Sequence, residues 1–304
     1  MHVDRGLHAN RTVVTFVGNK QSVFNGAWSG IKKSAEVIDM RSHKGVHPRI
    51  GATDVCPFIP IKNVNMAECI TISKKLGKKA AEELDIPVYL YEEAAADKTR
   101  KNLAAIRQGE YEGLEKRMES SDWSPDFGDT FNARFGALVT GARNFLIAYN
   151  VNLNTKNVEL AQEIAGIIRT SGQKIQKNGI EKKEPGCFEA VKAIGWYIQE
   201  YGCAQVSMNL TNYHKTMPHQ VYDKISELAR QMGLQVTGSE VIGLILKEPL
   251  LEAAEHFLAK QGQEKQLSER ELIDIAIRYL GLNDVAEFRP DEKIFEFKLE
   301  RCDL

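Results

Sequence analysis

The stretch MRSHKGVHPR, residues 40–49, concentrates basic side chains directly before an apolar segment that is bracketed by prolines. These side chains belong to Arg41, His43, Lys44, His47 and Arg49. Arginine binds carboxylates through paired hydrogen bonds, lysine binds them as a compact charge, and histidine exchanges a proton near neutral pH. An acid/base histidine beside such anion anchors is what group transfer on an anionic substrate requires. The residue types alone do not choose between the two histidines.

A metal site is one alternative, because His43 and His47 are four residues apart, as in helical zinc motifs. Gly45 and Pro48 argue against a regular helix here, and the neighbouring lysine and arginine would repel a cation. Since the sequence offers no third ligand nearby, we expect no metal at this stretch. A solvated turn with two structural histidines is the other alternative, and the pattern leaves it open.

Other polar and reactive residues give weaker signals. The stretch GALVTGAR, residues 136–143, matches neither a dinucleotide-binding pattern nor a P-loop, and a glycine-rich turn between subdomains explains it equally well. His214, His219 and His256 fall on or near predicted helices, where surface or packing roles are expected. The cysteines occur singly, which favours reduced thiols over disulfides or zinc. They are Cys56, Cys69, Cys187, Cys203 and Cys302.

The composition indicates a soluble, cytoplasmic globular protein of one or two domains. The chain has 304 residues, 43% of them hydrophobic, which is enough for a large core. Forty basic and 41 acidic residues give a formal net charge of −1, which argues against a general nucleic-acid or membrane-surface binder. The first residues lack a signal-peptide pattern, and no apolar run is long enough to cross a membrane.

Elements that could position the basic stretch are recognisable in the first half of the chain. Residues 12–18 are rich in β-branched side chains and predict a strand, and residues 86–91 predict another. Apolar residues recur at helical spacing over 24–38 and 69–84, and Asp97 is a candidate cap for a third helix continuing to residue 118. The polar stretch from there to residue 136 predicts a loop, since Pro125, Gly128 and Gly136 interrupt either periodicity.

The second half has clearer periodicity and predicts a β-α-β-β-α-β order. The strands are expected at 145–153, 190–198, 204–211 and 234–245. Thr155 is a candidate cap for the first helix, Pro218 opens the second, Gly233 ends it, and Ser268 with Glu271 forms a capping box for the last helix of the chain. This order is that of a ferredoxin-like plait.

The fold class predicted is therefore α+β, with two α/β subdomains, mainly antiparallel sheets, and the plait in the second subdomain. We expect an N-terminal subdomain over residues 1–145 and a C-terminal subdomain over residues 146–304.

Long stretches of the chain resemble, in the same order, the formiminotransferase domain of the formiminotransferase-cyclodeaminase family. They are ANRTVVTFVG, IDMRSHKGVHPRIGATDVCPFIP, AEELDIPVYLYEEAA, AIRQGEYEGL, DWSPDFG, FGALVTGARNFLIAYNVNL, AIGWYIQE, AQVSMNL and EVIGLI. Together they cover nearly the whole chain and are far more specific than any single motif.

The resemblance implies a homodimeric enzyme of histidine degradation and one-carbon metabolism, with a substrate tunnel between its two subdomains. Its reaction transfers the formimino group of N-formimino-L-glutamate to N5 of tetrahydrofolate, which is a co-substrate that carries a glutamyl or polyglutamyl tail. The family's catalytic histidine is the second one of an H-K-G-E-H-P-R segment, here His47. Lys44 and Arg49 are then expected to assist binding of the substrate's carboxylates or to orient the loop.

The family's folate-binding segment follows a D-W-x-P-D-F motif and is one residue shorter in this chain. The matching residues are Gly128, Asp129, Thr130, Phe131, Asn132, Ala133, Arg134, Phe135 and Gly136. Phe131 and Phe135 are candidates to lie against the pterin or benzoyl rings.

The sequence also departs from the family pattern. The strand and loop of E-C-V-P-N-F-S-E-G type that open the family are not found before the matching segment. Val46 replaces the glutamate that usually precedes the catalytic histidine, which removes a carboxylate that would raise the histidine pKa. The resemblance stops after the transferase region, so a cyclodeaminase activity is expected on a separate protein. Two alternatives stay open: a glutamate formyltransferase, and a catalytically silent folate-binding protein.

Overall fold

A computed structural model describes residues 1–7, 9–177, 180–263 and 266–301 of the chain. Cys302, one of the singly placed cysteines, lies outside the described residues. The chain divides into two compact units. The first unit comprises Ala9–Arg11 and Phe16–Asn144, and the second comprises Met1–His8, Thr12–Thr15 and Phe145–Leu304.

The described elements alternate between helices and short strands. The strands are β1 (His2–Gly6), β2 (Arg11–Thr15), β3 (Val55–Phe58), β4 (Val88–Glu92), β5 (Leu138–Ala142), β6 (Ile147–Leu153), β7 (Gln173–Lys177), β8 (Ile180–Glu184), β9 (Val191–Ile198), β10 (Cys203–Leu210) and β11 (Val236–Ile242). The helices are α1 (Lys20–Val37), α2 (Met66–Leu84), α3 (Leu103–Ile106), α4 (Glu110–Met118), α5 (Val158–Ile168), α6 (Pro218–Gln231), α7 (Lys247–Lys260), α8 (Glu269–Leu280), α9 (Pro290–Lys293) and α10 (Phe295–Glu300). Short 3₁₀ turns occupy Lys98–Lys101 and Ser121–Trp123.

The first unit is built on a parallel sheet in the order β3-β5-β4. Helix α2 connects β3 to β4 and packs on the central strand β5, as a crossover between parallel strands must. A capping box of Asn65 and Glu68 starts α2, and α1 packs against it. Taken with the antiparallel sheets of the second unit, this gives the mixed, mostly antiparallel α+β architecture predicted from the sequence.

Strand β5 corrects the interpretation of GALVTGAR as a glycine-rich turn. Its residues are completely buried, including Leu138, Val139 and Ala142 at 0% exposure, because the strand is sandwiched at the centre of the sheet. Gly141 is required by close packing, since a Cβ there would lie 2.3 Å from the Tyr91 carbonyl oxygen. A buried parallel strand shows no alternation of apolar and polar residues. The glycines of the stretch therefore suggested a turn.

The long helix predicted from Asp97 to residue 118 is also wrong. Asp97 caps only the 3₁₀ turn, Asn102 caps the short α3, and α4 starts after Gly109. Gly109 and Glu110 adopt positive φ angles of 83° and 54°, which no continuous right-handed helix tolerates. The chain therefore turns sharply between α3 and α4, and this turn carries residues of the candidate site.

In the second unit, β6, β9, β10 and β11 form the antiparallel sheet β11-β6-β10-β9, with α5 after β6 and α6 between β10 and β11. This is the strand order of the predicted ferredoxin-like plait, which is confirmed. The β7–β8 hairpin interrupts it between α5 and β9 and was not predicted. Asn157 rather than Thr155 caps α5, whereas Pro218 and the Ser268–Glu271 capping box stand where predicted.

The β1–β2 hairpin contacts the distant end of the chain within the second unit. The Asp4 carboxylate accepts hydrogen bonds from the Gly243 backbone N–H and from Lys293 Nζ, each at 2.8 Å. Lys293 and these hydrogen bonds hold the pKa of Asp4 below its usual value, although burial acts in the opposite direction. The first residues are therefore tied to the second unit although the first unit follows them in sequence.

Candidate active site

His47 lies half-buried in the extended loop between α1 and β3. Its Nδ1 is 2.8 Å from the Pro48 carbonyl oxygen. Because a carbonyl oxygen only accepts, Nδ1 is the donor, and the basic lone pair of the neutral ring is on Nε2. Burial lowers the pKa of His47 to about 4, and the positive charges of Arg11 and Arg107 act in the same direction. At neutral pH the ring is therefore uncharged and competent to accept a proton.

A mostly buried group of charges is formed by Arg11, Asp54 and Arg107 beside this ring, and we call it the Asp54 cluster. Asp54 Oδ2 accepts hydrogen bonds from Arg11 Nη1 at 2.6 Å and from Arg107 Nη2, and its Oδ1 accepts one from the Ile50 N–H at 2.9 Å. Burial would raise the pKa of Asp54, but the two arginines hold it below its usual value. The Asp54 cluster therefore stays charged and fixes the chain on both sides of the His47 loop.

The Asp54 cluster was missed in the sequence. Asp54 follows Arg11 by 43 residues and precedes Arg107 by 53 residues, so no local spacing connects them. The positive φ of 57° at Asp54, uncommon for a residue with a side chain, marks a local conformation that a sequence pattern does not reveal.

Arg49 is engaged with carboxylates of its own unit. Its guanidinium donates to Glu112 Oε1 and Oε2 at 2.6 and 2.8 Å and to Glu110 Oε2 at 2.9 Å, and only 4% of the residue is exposed. The hydrogen bonds from Arg49 lower the pKa of Glu112 to about 2. Arg49 therefore ties the His47 loop to the start of α4.

The remaining basic side chains of the loop have different surroundings. His43 Nε2 is 2.9 Å from the Asn10 carbonyl oxygen and its Nδ1 accepts from Arg49 Nε at 3.4 Å, so both ring nitrogens support the loop. Arg41 is exposed and pairs with Asp39. The Lys44 side chain is exposed, and Val46 is 45% exposed. The loop thus brings together His43 and Arg49 but leaves Arg41 and Lys44 facing outwards.

The segment Gly128–Gly136 runs directly beside the His47 loop. Backbone N–H groups of Met40 and Ala52 donate to the carbonyl oxygens of Arg134 and Phe135, each at 2.8 Å. Gly51 and Gly136 form an isolated bridge at which the two backbones cross closely. The sequence-predicted histidine loop and the predicted folate segment are therefore adjacent and hydrogen-bonded within the first unit.

Replacement of Gly51 tests how closely the two backbones approach each other at this bridge. A Cβ at residue 51 would lie 2.0 Å from the Ala137 carbonyl oxygen, so we expect Gly51→Ala to push the two backbones apart. Overpacking of this kind costs about 1–3 kcal/mol, and urea unfolding should show a loss of that size. Gly30→Ala is the matched control, because Gly30 is helical with open space around it, and alanine there should stabilise α1 by up to about 1 kcal/mol. A fully stable Gly51→Ala variant would contradict the close crossing.

Within the segment, several residues have structural partners. The Asn132 side chain accepts from the Phe135 N–H at 3.0 Å and donates to the Asp85 carbonyl oxygen at 3.1 Å. Arg134 donates to the carbonyl oxygens of Ala35 and Glu36, at the C-terminal end of α1. Gly128, Asp129, Thr130 and Ala133 are exposed, and Gly136 is buried with a φ of 76°. The turn is therefore well held while its tip is accessible.

The two phenylalanines of the segment differ. Phe135 is 2% exposed and belongs to the core formed with α1 and α2, so its ring does not lie at the surface of the segment. Phe131 is half-buried, and its ring centroid is 6.1 Å from that of Tyr111. Only Phe131 of the two presents a ring at the surface of the segment.

Tyr111 joins the loop and the segment and was not noticed in the sequence. Its N–H donates to the Arg49 carbonyl oxygen at 2.9 Å, and its hydroxyl donates to the Ala133 carbonyl oxygen at 2.6 Å. It stands at the start of α4, directly after the left-handed residues Gly109 and Glu110. The sharp turn that the long-helix prediction missed is what brings Tyr111 to this position.

Side chains away from the loop have packing roles. Burial raises the pKa of Cys56 to about 12, which makes it an unreactive thiol. His219 is buried and stacks on His256 with ring centroids 4.5 Å apart, and His214 is exposed, as predicted for these histidines. Among the residues that the structure describes, no three histidine, cysteine, aspartate or glutamate side chains converge as metal ligands do. No helix within the described ranges has the length and apolar character needed to cross a membrane.

A neutral histidine beside two arginines can accept a proton and attract an anionic group. Comparison with known families identifies the family to which the chain belongs. The model of the formiminotransferase domain, N-terminal subdomain, matches residues 1–143, and that of the formiminotransferase domain matches residues 148–300. The chain therefore belongs to the formiminotransferase family.

Individual relatives agree with this membership. The chain is 46% identical over 302 residues to a formimidoyltransferase-cyclodeaminase of Dictyostelium discoideum, covering 99% of this chain and 54% of that protein. It is 44% identical over 301 residues to the Gallus gallus protein of the same name, with the same coverage. It is 41% identical over 267 residues to a glutamate formimidoyltransferase of Streptococcus pyogenes serotype M1, covering 87% of this chain and 85% of that protein. The chain thus spans about half the length of the first two relatives and most of the third.

Proposed function

We propose that the chain is a glutamate formimidoyltransferase, which transfers the formimino group of N-formimino-L-glutamate to N5 of tetrahydrofolate. The observation that carries the proposal is a His47 ring that burial and the charges of Arg11 and Arg107 keep neutral, in a chain of the formiminotransferase family. The glutamate formimidoyltransferases named in Streptococcus pyogenes and Thermoplasma acidophilum support it at 41% and 39% identity.

In the proposed reaction, N5 of the folate attacks the amidine carbon of the donor and a tetrahedral intermediate forms. Nε2 of His47 accepts the N5 proton. The resulting imidazolium is a strong acid in its positive surroundings and returns the proton to the glutamate nitrogen as the carbon–nitrogen bond breaks. Glutamate and 5-formiminotetrahydrofolate leave, and His47 is neutral again. General acid/base catalysis of this kind contributes about 10²–10⁴-fold in rate.

We propose that tetrahydrofolate binds along Gly128–Gly136, where the exposed tip and the ring of Phe131 adjoin the His47 loop. Phe135, Asn132 and Arg134 would then hold the shape of this segment from behind. Lys44 is the candidate to assist binding of an anionic group from the exposed side of the loop. For Arg49, the ion pairs with Glu110 and Glu112 favour orientation of the loop over contact with substrate.

Further parts of the proposal concern the organisation of the enzyme. We propose a cytoplasmic homodimer, with the formiminotransferase subdomains divided near residue 145. Sedimentation equilibrium tests the dimer, and a monomer at all protein concentrations would contradict it.

The proposed function is tested by the release of free glutamate from formiminoglutamate in the presence and absence of tetrahydrofolate. We expect release that depends fully on both substrates and exceeds the release from N-formylglutamate. A preference for the formyl donor would indicate a glutamate formyltransferase. Folate binding in a calorimetric titration without any glutamate release would indicate a silent binding protein.

The pH dependence of kcat/KM tests the role of His47. Because the pKa of His47 is lowered to about 4, the ring stays a base well below neutral pH, and kcat/KM should fall only as the pH drops through that value. A nuclear magnetic resonance titration of the ring should show the same low pKa, with the signal assigned by its loss in a His47 variant. A midpoint at the ordinary histidine pKa in both measurements would contradict the lowering of the His47 pKa by burial and by the two arginines.

Val46→Glu extends this test to the position where the family usually has glutamate. A carboxylate beside the ring would stabilise the imidazolium and move the acid limb of the profile to higher pH. Since Val46 is 45% exposed, solvent and salt screen the added charge, and the expected shift is smaller than about one pH unit. Identical profiles would show that the substitution at this position has no consequence for catalysis.

A further inference from the structure

The Asp54 cluster carries more positive than negative charge. Two guanidinium groups share a single carboxylate, and the side chains of Arg11, Asp54 and Arg107 are only 22%, 5% and 11% exposed. Within the described part of the chain, Asp54 is the only carboxylate that forms an ion pair with Arg11 or Arg107. The nearby Glu110 and Glu112 form ion pairs with Arg49 instead. One formal positive charge is left over in a poorly solvated place, where charge is costly unless an anion compensates it.

The excess charge lies directly at the candidate catalytic ring. The Pro48 carbonyl oxygen is 2.8 Å from His47 Nδ1 and 3.4 Å from Arg11 Nη1, so the guanidinium and the imidazole meet on one oxygen atom. Besides Asp54, the groups that act most strongly on the pKa of Arg107 are Arg11 and Tyr91. Burial raises the pKa of Tyr91, so its phenol is neutral at neutral pH.

The donor substrate has an anion at the matching distance. In formiminoglutamate the amidine nitrogen is attached to the α-carbon, which also carries the α-carboxylate. Only three bonds separate the reacting amidine carbon from the carboxylate carbon, so a donor that reacts at His47 must have its α-carboxylate beside that ring. The tail carboxylates of tetrahydrofolate are separated from N5 by the aminobenzoyl group and cannot reach the same place.

We propose that Arg11 and Arg107 bind the α-carboxylate of formiminoglutamate, with Asp54 fixing the planes of both guanidinium groups. This inference rests on the proposed function. It assigns the binding of the donor's carboxylate to Arg11 and Arg107 rather than to Arg49. Arginine suits the task because its planar fork matches a carboxylate with two parallel hydrogen bonds. The same site orients the amidine carbon towards Nε2 of His47, because the carboxylate and the reacting centre belong to one short segment of the donor.

Replacement of Arg107 separates donor binding from folate binding. We expect Arg107→Gln to raise the KM for formiminoglutamate about 10–100-fold, as for loss of one charge-assisted hydrogen-bonding group, with the KM for tetrahydrofolate unchanged within about twofold. Arg107→Lys should recover part of the loss, because it keeps the charge without the fork. Lys116→Gln, an exposed site on α4, is the control for removing one positive charge.

A second donor makes the test specific for the carboxylate. The α-carboxamide analogue of formiminoglutamate should bind poorly to the unaltered protein and should lose little further affinity in Arg107→Gln, because the interaction is already absent. Equal rises in both KM values, or a Gln variant that still discriminates fully between the acid and its carboxamide, would overturn the assignment. Thermal unfolding of each variant checks that the fold is retained, and Arg11→Gln repeats the comparison from the other side of Asp54.

Calorimetric binding of formiminoglutamate distinguishes this inference from the proposed function. Binding that is lost in Arg107→Gln supports the anchor even if the unaltered protein releases no glutamate, an outcome that would refute the transferase alone. Transfer activity with an unchanged donor affinity in Arg107→Gln and Arg11→Gln would refute the anchor alone.

Discussion

His47→Ala should lower the rate of glutamate release by about 10²–10⁴-fold, because both proton transfers lose their carrier. The affinity for tetrahydrofolate should change little, since the proposed folate segment is held by its own hydrogen bonds to the loop backbone. Single-turnover rates with saturating substrates measure the chemical step, and a calorimetric titration measures folate affinity.

His43→Gln is the matched control for this prediction. His43 lies in the same loop and uses both ring nitrogens in structural hydrogen bonds, so its replacement should lower stability more than catalysis. If the two variants lost activity equally, and with the same pH profile as the unaltered protein, the loss would come from a disturbed loop rather than from a missing acid/base group. Full activity of His47→Ala would reject the assignment outright.

Asp54→Asn should be strongly destabilising, although it removes only one charge and almost no volume. Two buried guanidinium groups would lose their common counter-ion, and breaking a buried ion pair in this way costs about 3–5 kcal/mol. Urea unfolding should show a lower midpoint with an unchanged slope, which indicates a loss of stability rather than a different unfolded state.

Asp39→Asn is the matched control, since Asp39 pairs with the exposed Arg41 and solvent screens that contact; its unfolding midpoint should barely move. Adding Arg107→Gln to Asp54→Asn should restore part of the lost stability, because one uncompensated charge is then removed. A double variant that is less stable than the sum of its parts would contradict the charge imbalance of the Asp54 cluster.

Local signals made much of the fold predictable from the sequence. The capping box at Ser268, the proline that opens α6 and the alternating strands of the plait depend on residues close together in the chain, and each stands where predicted. Strand β5 and the break at Gly109 were not predicted, because burial between neighbouring strands and a left-handed backbone are decided by tertiary contacts.

The candidate site was likewise only partly predictable from the sequence. The basic stretch predicted an anion-binding loop, and the family resemblance selected His47 within it; both roles stay predictions. The pKa of His47 depends on burial of its ring and on the charges of residues 11, 54 and 107, which only the folded first unit brings together. The burial of Phe135 was equally invisible in the sequence, because a loop phenylalanine has the same pattern whether it faces solvent or the core.

The contact of Asp4 with Lys293 has a consequence for biosynthesis. The two residues are separated by 289 positions, so at about 5–20 residues per second a ribosome needs roughly 15–60 seconds to add Lys293 after it has added Asp4. The first unit is complete once Asn144 has been added, about halfway through that time. The contact between Asp4 and Lys293 therefore forms late in synthesis, after the sheet of the second unit has been made.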